Sequence, residues 1–450
     1  MNLLIHNILT VTNDDRHRIL SGHAVAVEQA RIKELGEEPE LKKKYGHFQQ
    51  IDGGGRLLMP GLINAHMHFY STFARGLVLR RQPKNFAEIL SGLWWRLDTA
   101  LDAEAVYYSA LVPAIAAVKQ GVTAVIDHHA SANAVANSLD RIEAALELIG
   151  LRGVLCYEVS DRDGPEIRRH GLEENARYIE KCQKAKEANP DHLFDGMVGL
   201  HASFTLDDES LTQAAQMSHS LKRGCHIHLL EDGVDRVKTK EEYGREVVDR
   251  LLAFGILGEK SIAAHAIHVT AEEIDLLAQS DTMVVHNPCS NMNNAVGRTD
   301  IFTLLEKGLL VGLGTDGMSP DLKPDIRAGY LLHKHHLQNP NLGWNEFQQM
   351  VLNNNAAIFH RVSGQKVGKI AQGYLADLIL VDYFPPTPLT AENFWGHFLF
   401  GIADAVVDTT IVNGQIVMRG KLLTNIDEGE IAAQSRACAE RVWQRFLSMR

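Results

Sequence analysis

The sequence lacks the features that mark membrane-spanning, secreted and nucleic-acid-binding proteins. No apolar run approaches the roughly 18 residues that cross a bilayer. The first segment, MNLLIHNILTVTNDD, has neither a basic region nor a small-residue cleavage site. Lysine and arginine number 45 against 56 aspartates and glutamates, so the net charge is −11 and there is no basic block to bind nucleic acid. We therefore expect a cytoplasmic globular protein that binds neither membranes nor nucleic acid.

Cysteine pairs and several common catalytic motifs are also missing. The five cysteines are odd in number, widely spaced and without a CxxC pair, which argues against a disulfide framework or a thiolate zinc site. Without a GxSxG elbow or a P-loop, serine hydrolase and nucleoside triphosphatase functions lack support. The segment from Gly312 to Gly317 fits GxGxxG, but it closes a late strand instead of opening a βαβ unit, so it does not indicate a dinucleotide site.

What the chain does contain is an alternation of short apolar, β-branched stretches with helical stretches. This alternation is typical of a parallel sheet covered on both faces. Eight repeats over about 300 residues favour an α/β fold of the (β/α)8 TIM-barrel type over an open sheet. The eight predicted strands lie in residues 57–68, 123–129, 151–160, 195–204, 224–231, 262–269, 281–291 and 309–317.

The two ends of the chain show a different pattern, with short strands separated by turn residues. We expect these ends to pair into one small β-sandwich beside the barrel, and a closing helix with one apolar stripe to follow over residues 427–449. The predicted units are residues 1–58 and 367–425 for the sandwich, 59–366 for the barrel and 426–450 for the C-terminal helix.

The 22 histidines are unusual for this composition, and many of them close predicted strands. Active sites of barrel enzymes lie at the carboxyl ends of the strands, so these side chains should meet at one mouth. His66 and His68, two residues apart in an extended segment, point to the same side. Three imidazoles and one carboxylate suit Zn²⁺ or Fe²⁺ and leave a position open for water, so we expect a divalent metal site. The strand-end candidates are His66, His68, His201, His226, His228, Glu231, His265, His268 and Asp316.

The segment MPGLINAHMH, from Met59 to His68, resembles the strand-one signature PGxxxxHxH of the amidohydrolase superfamily. The segments HIHLLE, AAHAIH, VVHNPCSNMNN and GLGTDG follow in that superfamily's order and spacing. Within the superfamily, the chain is similar to the deaminase/chlorohydrolase branch. Residues 93–109, 123–131 and 385–397 resemble the aminohydrolases called SsnA most closely, so the similarity extends over nearly the whole chain.

The resemblance implies a role for each strand-end residue. Glu231 would act as general base and then as general acid, and His265 and Asp316 would hold the attacking water. His201 would contact the substrate; it stands where two-metal members carry a bridging carboxylated lysine, which implies one metal ion per chain, with Zn²⁺ expected and Fe²⁺ as the alternative. The implied metal ligands are His66, His68, His228 and Asp316.

The predicted function is hydrolysis of a non-peptide C–N bond by metal-activated water. The favoured reaction is deamination of a purine-like or other heterocyclic ring with release of ammonia. Hydrolytic dechlorination and opening of a cyclic amide are alternatives, and a catalytically silent metal-binding scaffold is the alternative outside the enzymes. The expected partner is a small molecule, and the family implies a homo-oligomer, a dimer or larger.

Several side chains near the predicted strand ends allow two interpretations. Residues 127–129 either support the site or hydrogen-bond locally, Arg75 either binds an anion or lies on the surface, and the tryptophan pair either lines a flat pocket or packs in the core. Residues 333–336 are expected to form a solvated helix face. Two positions depart from the family pattern and are expected to face the substrate. The side chains with open roles are Asp127, His128, His129, Arg75, Trp94 and Trp95, and the departures are Ser203 and Asn294.

Overall fold

The computed structural model describes residues 1–424 and 426–449, so the predicted boundaries at Asn425 and Arg450 lie outside the described residues. The strands, in chain order, are β1 (Asn2–His6), β2 (Leu9–Val11), β3 (Ile19–Leu20), β4 (His23–Glu28), β5 (Arg31–Glu37), β6 (Gln49–Asp52), β7 (Leu57–Pro60), β8 (Leu62–Met67), β9 (Val122–His129), β10 (Arg152–Tyr157), β11 (Phe194–Gly196), β12 (Val198–Ala202), β13 (Cys225–Leu229), β14 (Ile262–His265), β15 (Met283–His286), β16 (Val311–Leu313), β17 (Leu378–Val381), β18 (Val407–Val412), β19 (Gln415–Arg419) and β20 (Leu422–Leu423).

The helices alternate with the middle strands and also cover the ends of the chain. They are α1 (Glu38–Tyr45), α2 (Phe86–Ile89), α3 (Trp95–Ala100), α4 (Ala103–Lys119), α5 (Ser138–Ile149), α6 (Pro165–Ala188), α7 (Asp208–Leu221), α8 (Gly233–Tyr243), α9 (Val247–Ala253), α10 (Ala271–Gln279), α11 (Pro288–Asn293), α12 (Ile301–Glu306), α13 (Lys323–Leu337), α14 (Trp344–Gln349), α15 (Asn355–Ser363), α16 (Phe394–Phe400) and α17 (Glu428–Ser448). Short 3₁₀ or π segments are Phe69–Ala74, Leu90–Trp94, Ser203–Thr205, Met350–Asn354 and Ile402–Asp404.

Each of the eight predicted stretches forms a parallel strand, and these strands make two sheets of order β11-β10-β9-β8 and β12-β13-β14-β15-β16. Their residues are buried on both faces, which explains the near-continuous apolar runs. The stretch 195–204 supplies two strands, β11 and β12, one to each sheet. Single parallel bridges link the sheets at both edges, between Val159 and Leu200 and between Met67 and Asp316.

Both ends of the chain contribute to a second β layer. The order β5-β4-β1-β6 forms one sheet, and β20-β19-β18-β17-β7-β2-β3 forms another, in which β7 and β17 pair antiparallel. A hydrophobic cluster joins the two sheets, with Leu3 and Val25 from the first and Leu378 and Ile411 from the second. The chain ends therefore pair as expected, and β7 spans the predicted boundary at residue 58.

Gly61 marks the place where the chain passes from the terminal sheet into the parallel sheet. It separates β7 from β8, and a Cβ there would lie 2.2 Å from Thr123 Cγ2 on β9. No larger residue fits this approach without moving β9. The close crossing places His66 near the carboxyl end of β8, and His68 follows immediately after it.

The C-terminal helix α17 packs against α3 and α4, as its apolar stripe predicts. Cys438, Val442 and Phe446 are buried, and Trp443 is half-buried and donates its indole N–H to the carbonyl of Phe73, at 2.7 Å. Among the described residues, no single helix is long and apolar enough to cross a membrane. Among the same residues, the helical segments Phe86–Ala100 and Ala103–Lys119 would be long and apolar enough if joined, but they are bent by 108° relative to each other.

The prediction that residues 333–336 form a solvated helix face is wrong for the first of them, His333. His333 is fully buried, and its Nε2 lies 3.2 Å from His286 Nε2 on β15, whereas His335 and His336 are exposed. Four polar residues in a row cannot reveal which one turns inward, because that depends on where β15 packs under α13.

A buried ion pair ties the parallel sheet to the terminal β layer. Arg152 on β10 donates to both oxygens of Asp377, at 2.7 and 3.1 Å, and the two side chains are 0% and 1% exposed. Further bonds reach Gln365 at 2.8 Å and Asn413 at 2.9 Å. The guanidinium is thus surrounded by acceptors, the condition under which a buried charge is tolerated.

We predict that Asp377→Asn destabilises the fold by about 3–5 kcal/mol, because it leaves the Arg152 guanidinium buried without a counter-charge. The measurement is the apparent Tm and the denaturant midpoint of the full chain. Asp404→Asn is the matched control, since Asp404 is 64% exposed and pairs with Arg327 at the surface, and it should have little effect. Equal shifts for the two variants would contradict the prediction.

Candidate active site

The ends of β8 and β13 and the segment after β16 bring imidazoles and one carboxylate together. His68 Nε2 lies 2.9 Å from Asp316 Oδ1 and 3.1 Å from His228 Nε2, and His66 Nε2 lies 3.3 Å from Asp316 Oδ1. One ligand atom from each of His66, His228, His265 and Asp316 also lies within 4.8 Å of every other. These residues come from positions 66 to 316, so only the fold makes them neighbours. The predicted metal ligands are therefore brought together.

Each of these imidazoles is oriented by a hydrogen bond at its other nitrogen. Nδ1 of His68 donates to the carbonyl of His128 at 2.5 Å, and Nδ1 of His228 donates to the carbonyl of His201 at 3.0 Å. His66 Nδ1 faces His226 Nε2 at 2.9 Å. Because Nδ1–H is used in this way, the Nε2 atoms of His68 and His228 face each other, with His68 Nε2 also beside Asp316, the arrangement of metal-ligating histidines.

The donor set fits a divalent cation. The Nε2 atom of His66 is buried and makes no hydrogen bond within the described part of the chain. Burial lowers the pKa of His66 to about 3, so it is a neutral ligand. Burial opposes the charging of His68 as well, but Asp316 raises the pKa of His68 to about 9, so a proton and a metal ion compete for the same lone pair. The residues can hold a metal ion of the kind that accepts nitrogen and oxygen ligands.

Asp316 and His265 both occupy unfavourable backbone conformations. Their φ angles are 52° and 73°, in the left-handed region that non-glycine residues rarely adopt. Asp316 is held there by backbone bonds with β8, from its N–H to His66 O and from His68 N–H to its own carbonyl. Ser290 donates its hydroxyl to Asp316 Oδ2 in a short hydrogen bond. Such strain persists only where neighbours enforce it, which is common at functional sites.

Glu231 lies beside His265 at the same mouth. Its Oε2 is 3.6 Å from His265 Nε2, and His265 Nδ1 donates to Asn291 Oδ1 at 2.8 Å. Asn294 donates to Glu231 Oε1 at 3.4 Å. Burial raises the pKa of Glu231 to about 7, so the carboxyl group can gain and lose a proton near neutral pH.

A cavity with about 470 Å³ of empty space opens in front of these groups. His201, the predicted substrate contact, lines it, and burial lowers the His201 pKa to about 4. Trp94 and Trp95 also line the cavity, so the flat-pocket interpretation of this pair is supported. Arg75 is exposed and lines a neighbouring cleft that shares His68 and Asp316 with this cavity.

Residues 127–129 support the site from behind. Asp127 accepts a hydrogen bond at 2.8 Å from the N–H of Phe69, immediately after His68, and the His128 carbonyl orients the ring of His68. His129 bonds locally to Ser131 at 2.9 Å. Asp127 and His128 therefore hold the residues that follow β8 in place, and His129 is a hydrogen-bonded strand end.

The two departures from the family pattern have different environments. Asn294 lines the cavity, as expected. Ser203 is instead buried and accepts hydrogen bonds from Thr239 and Arg250, at 3.0 and 3.1 Å, so the expectation that it faces substrate is wrong. A hydroxyl fits there because the Arg250 guanidinium needs an acceptor in the interior.

Sequence reasoning missed one acid in the site, Glu158. It is 4% exposed, lines the cavity, and its Oε2 lies 3.1 Å from His128 Nδ1. Burial alone would raise the pKa of Glu158, but the facing imidazoles hold it well below its usual range. The stretch LCYEVS contains the only signal, a carboxylate at the end of an otherwise apolar strand.

Comparisons with known proteins agree with this geometry. The sequence profile described as "Amidohydrolase family" matches residues 57–417. The chain is 30% identical over 446 residues to a 5'-deoxyadenosine deaminase of Methanosarcina acetivorans, covering 98% of each chain. It is 31% identical over 422 residues to a 5-methylthioadenosine/S-adenosylhomocysteine deaminase of Thermococcus sibiricus, covering 93% and 94%.

Solved structures show the same fold at lower identity. A zinc-bound adenosine deaminase from Xanthomonas campestris superposes with a TM-score of 0.82 at 21% identity, covering 98% of this chain and 99% of that one. The atrazine chlorohydrolase TrzN from Arthrobacter aurescens, complexed with zinc, gives 0.80 at 21% identity, covering 97% and 100%. The expected enzyme class, a hydrolase of non-peptide C–N bonds, is confirmed by the family and by the deaminase relatives. This chain belongs to the amidohydrolase family.

Proposed function

We propose that this protein is a metal-dependent aminohydrolase that releases ammonia from a small heterocyclic substrate. The observation that carries the proposal is a largely buried carboxyl group, Glu231, that lines one open cavity together with His68, His228 and Asp316, whose side chains are of the kinds that bind metal ions. Relatives of nearly full length are named deaminases of adenosine derivatives, which supports the reaction class without fixing the substrate.

Four side chains would hold the ion, and we propose one Zn²⁺ per chain with Fe²⁺ as the alternative. A bound Zn²⁺ supplies a Lewis acid that lowers the pKa of water and so provides a nucleophile at neutral pH. Zinc-containing structural neighbours support this choice of ion. The proposed ligands are His66, His68, His228 and Asp316.

Glu231 would move the proton during the reaction. It accepts a proton from water and returns it to the substrate nitrogen that leaves as ammonia, which requires a group that changes protonation state near working pH. His265, oriented by Asn291, would face the attacked carbon together with Asp316. His201 would contact the ring from the other side of the cavity.

Two other functions use the same groups. Displacement of chloride is a second candidate, because a chlorohydrolase shares the fold and the same nucleophile could attack a chlorinated ring. Opening of a cyclic amide is chemically equivalent. A silent metal-binding scaffold would not need Glu231 within 3.6 Å of His265 or an open cavity, so it is the weakest candidate.

We propose that the two parallel sheets close into one (β/α)8 barrel, supported by the bridges at both of their edges. The terminal sheets would form a small β-sandwich domain beside this barrel. We further propose that the protein is a homo-oligomer of two or more chains and that it is located in the cytoplasm. Membership of the SsnA group stays a prediction from the sequence motifs.

The decisive assay measures ammonia release from purified, metal-analysed protein across aminopurines, aminopyrimidines, aminotriazines and their nucleosides. We expect turnover of at least one ring. No ammonia from any member, with metal at one per chain, would contradict the deaminase proposal and direct the search to chloride release or cyclic-amide hydrolysis.

We predict that Glu231→Gln lowers kcat by about 10² to 10⁴-fold, because an amide cannot relay the proton. Metal content, measured by inductively coupled plasma mass spectrometry, should stay at the parent value. Glu174→Gln is the matched control: Glu174 is buried on α6 and accepts backbone N–H groups of Asn137 and Leu139. Full activity in Glu231→Gln would refute the assigned role.

We predict that His228→Asn reduces bound metal from about one per chain to a small fraction, because Asn cannot present a nitrogen lone pair at the same point. His268→Asn should retain the metal, since His268 is exposed and its Nε2 bonds to the Val296 carbonyl at 2.8 Å. The measurement is the metal content per chain of both variants after dialysis. Retention by His228→Asn would remove it from the ligand set.

A further inference from the structure

One wall of the cavity carries two side chains that point the same way from neighbouring strand ends. Val159 and Leu200 form a parallel bridge, and the N–H of His201 donates to the Val159 carbonyl at 2.9 Å. Because side chains alternate along extended chains, Glu158 and His201 both lie on the face opposite to Val159 and Leu200. Both line the cavity.

Glu158 presents a carboxylate at this wall. The two ring nitrogens of His128 face only oxygen acceptors: Nδ1 faces Glu158 Oε2 at 3.1 Å, and Nε2 faces the carbonyls of Leu200 and His226, each at 3.1 Å. His128 Nδ1–H can therefore donate to Glu158 Oε2. The carboxylate keeps lone pairs beyond the one that His128 uses, so it can accept from a ligand.

His201 presents a second acceptor. The Thr205 hydroxyl donates to the carbonyl of Ala202 at 3.0 Å, so it accepts from His201 Nδ1, 2.7 Å away. The proton of the neutral ring is therefore on Nδ1, and Nε2 keeps its lone pair. The wall thus offers two acceptors, carried by neighbouring strand ends.

The remaining lining of the cavity suits a flat ring. Trp95 meets the His201 ring edge to face, with centroids 6.1 Å apart, and Phe86, Leu90 and Trp94 add apolar surface. The Arg162 guanidinium, which lies over the Trp95 ring, is itself engaged by Asp98 and Asp163. Aromatic and apolar walls with a few placed polar groups are typical of heterocycle sites.

We infer that Glu158 and His201 select substrates whose ring presents two adjacent N–H donors, as in an amino-lactam or cyclic guanidine edge. This inference rests on the proposed function and names its substrate class. An adenine ring lacks such an edge, because the ring nitrogen beside its amino-bearing carbon, N1, accepts a hydrogen bond instead of donating one. The chain would thus differ in ring preference from its relatives named for adenosine derivatives.

The test is equilibrium binding, by calorimetry, to metal-loaded Glu231→Gln protein, which removes turnover from the measurement. The matched probes are isocytosine, which has the donor pair, and pyrimidin-4(3H)-one, which lacks the amino group; guanine and hypoxanthine form a second pair. We expect the amino-lactam to bind about 10- to 100-fold more tightly, the range for a hydrogen bond to a charged group. Equal affinities within a pair would overturn the inference, whether or not any variant of Glu158 folds.

Adding Glu158→Gln to this protein should reduce the affinity ratio to near one, while metal content stays unchanged. Adding Glu174→Gln instead should leave the ratio as it was. A ratio that survives Glu158→Gln would show that Glu158 only positions His128, which also overturns the inference. Failure of the proposed deaminase function would give a different result. The preference for the amino-lactam would persist in the binding measurement, but the wild-type protein would release no ammonia from any ring.

Discussion

The rest of the site depends on the convergence of imidazole nitrogens around the Asp316 carboxylate. His68 and His228 each use Nδ1–H to bond a backbone carbonyl, so their Nε2 atoms are fixed in direction before any ligand arrives. The carbonyls belong to β9 and β12, the strands beside the ligands. The parallel sheets thus supply both the proposed ligands and the groups that orient them.

Three acids share this mouth, and their surroundings give them different chemistry. Asp316 faces His66 and His68, which suits a permanent anion and ligand. Glu158 faces His128, and its pKa is held well below the usual range, whereas Glu231 has an amide donor at 3.4 Å and the His265 imidazole at 3.6 Å, so burial dominates and the pKa of Glu231 rises to about 7. Proton transfer and fixed charge are thus separated by environment and not by residue type.

Much of the fold was predictable because a strand buried on both faces must be apolar along its whole length. That rule located the eight stretches that supply the parallel strands, and the alternating pattern at the chain ends predicted further strands there. It could not show that residues 195–204 supply strands to two sheets, nor that His333 turns inward, because both depend on packing partners distant in sequence. The same holds for Ser203, whose hydroxyl serves the buried Arg250.

The sequence by itself determined the kind of chemistry: histidines at strand ends, an acid three residues after His228, and an aspartate closing the last strand specify a metal-dependent hydrolase. Only the tertiary structure decided how those groups are held and what else the cavity presents. Glu158 was invisible as a candidate because the contacts that single it out, with His128 on β9 and beside the end of β12, exist only once the strands are assembled.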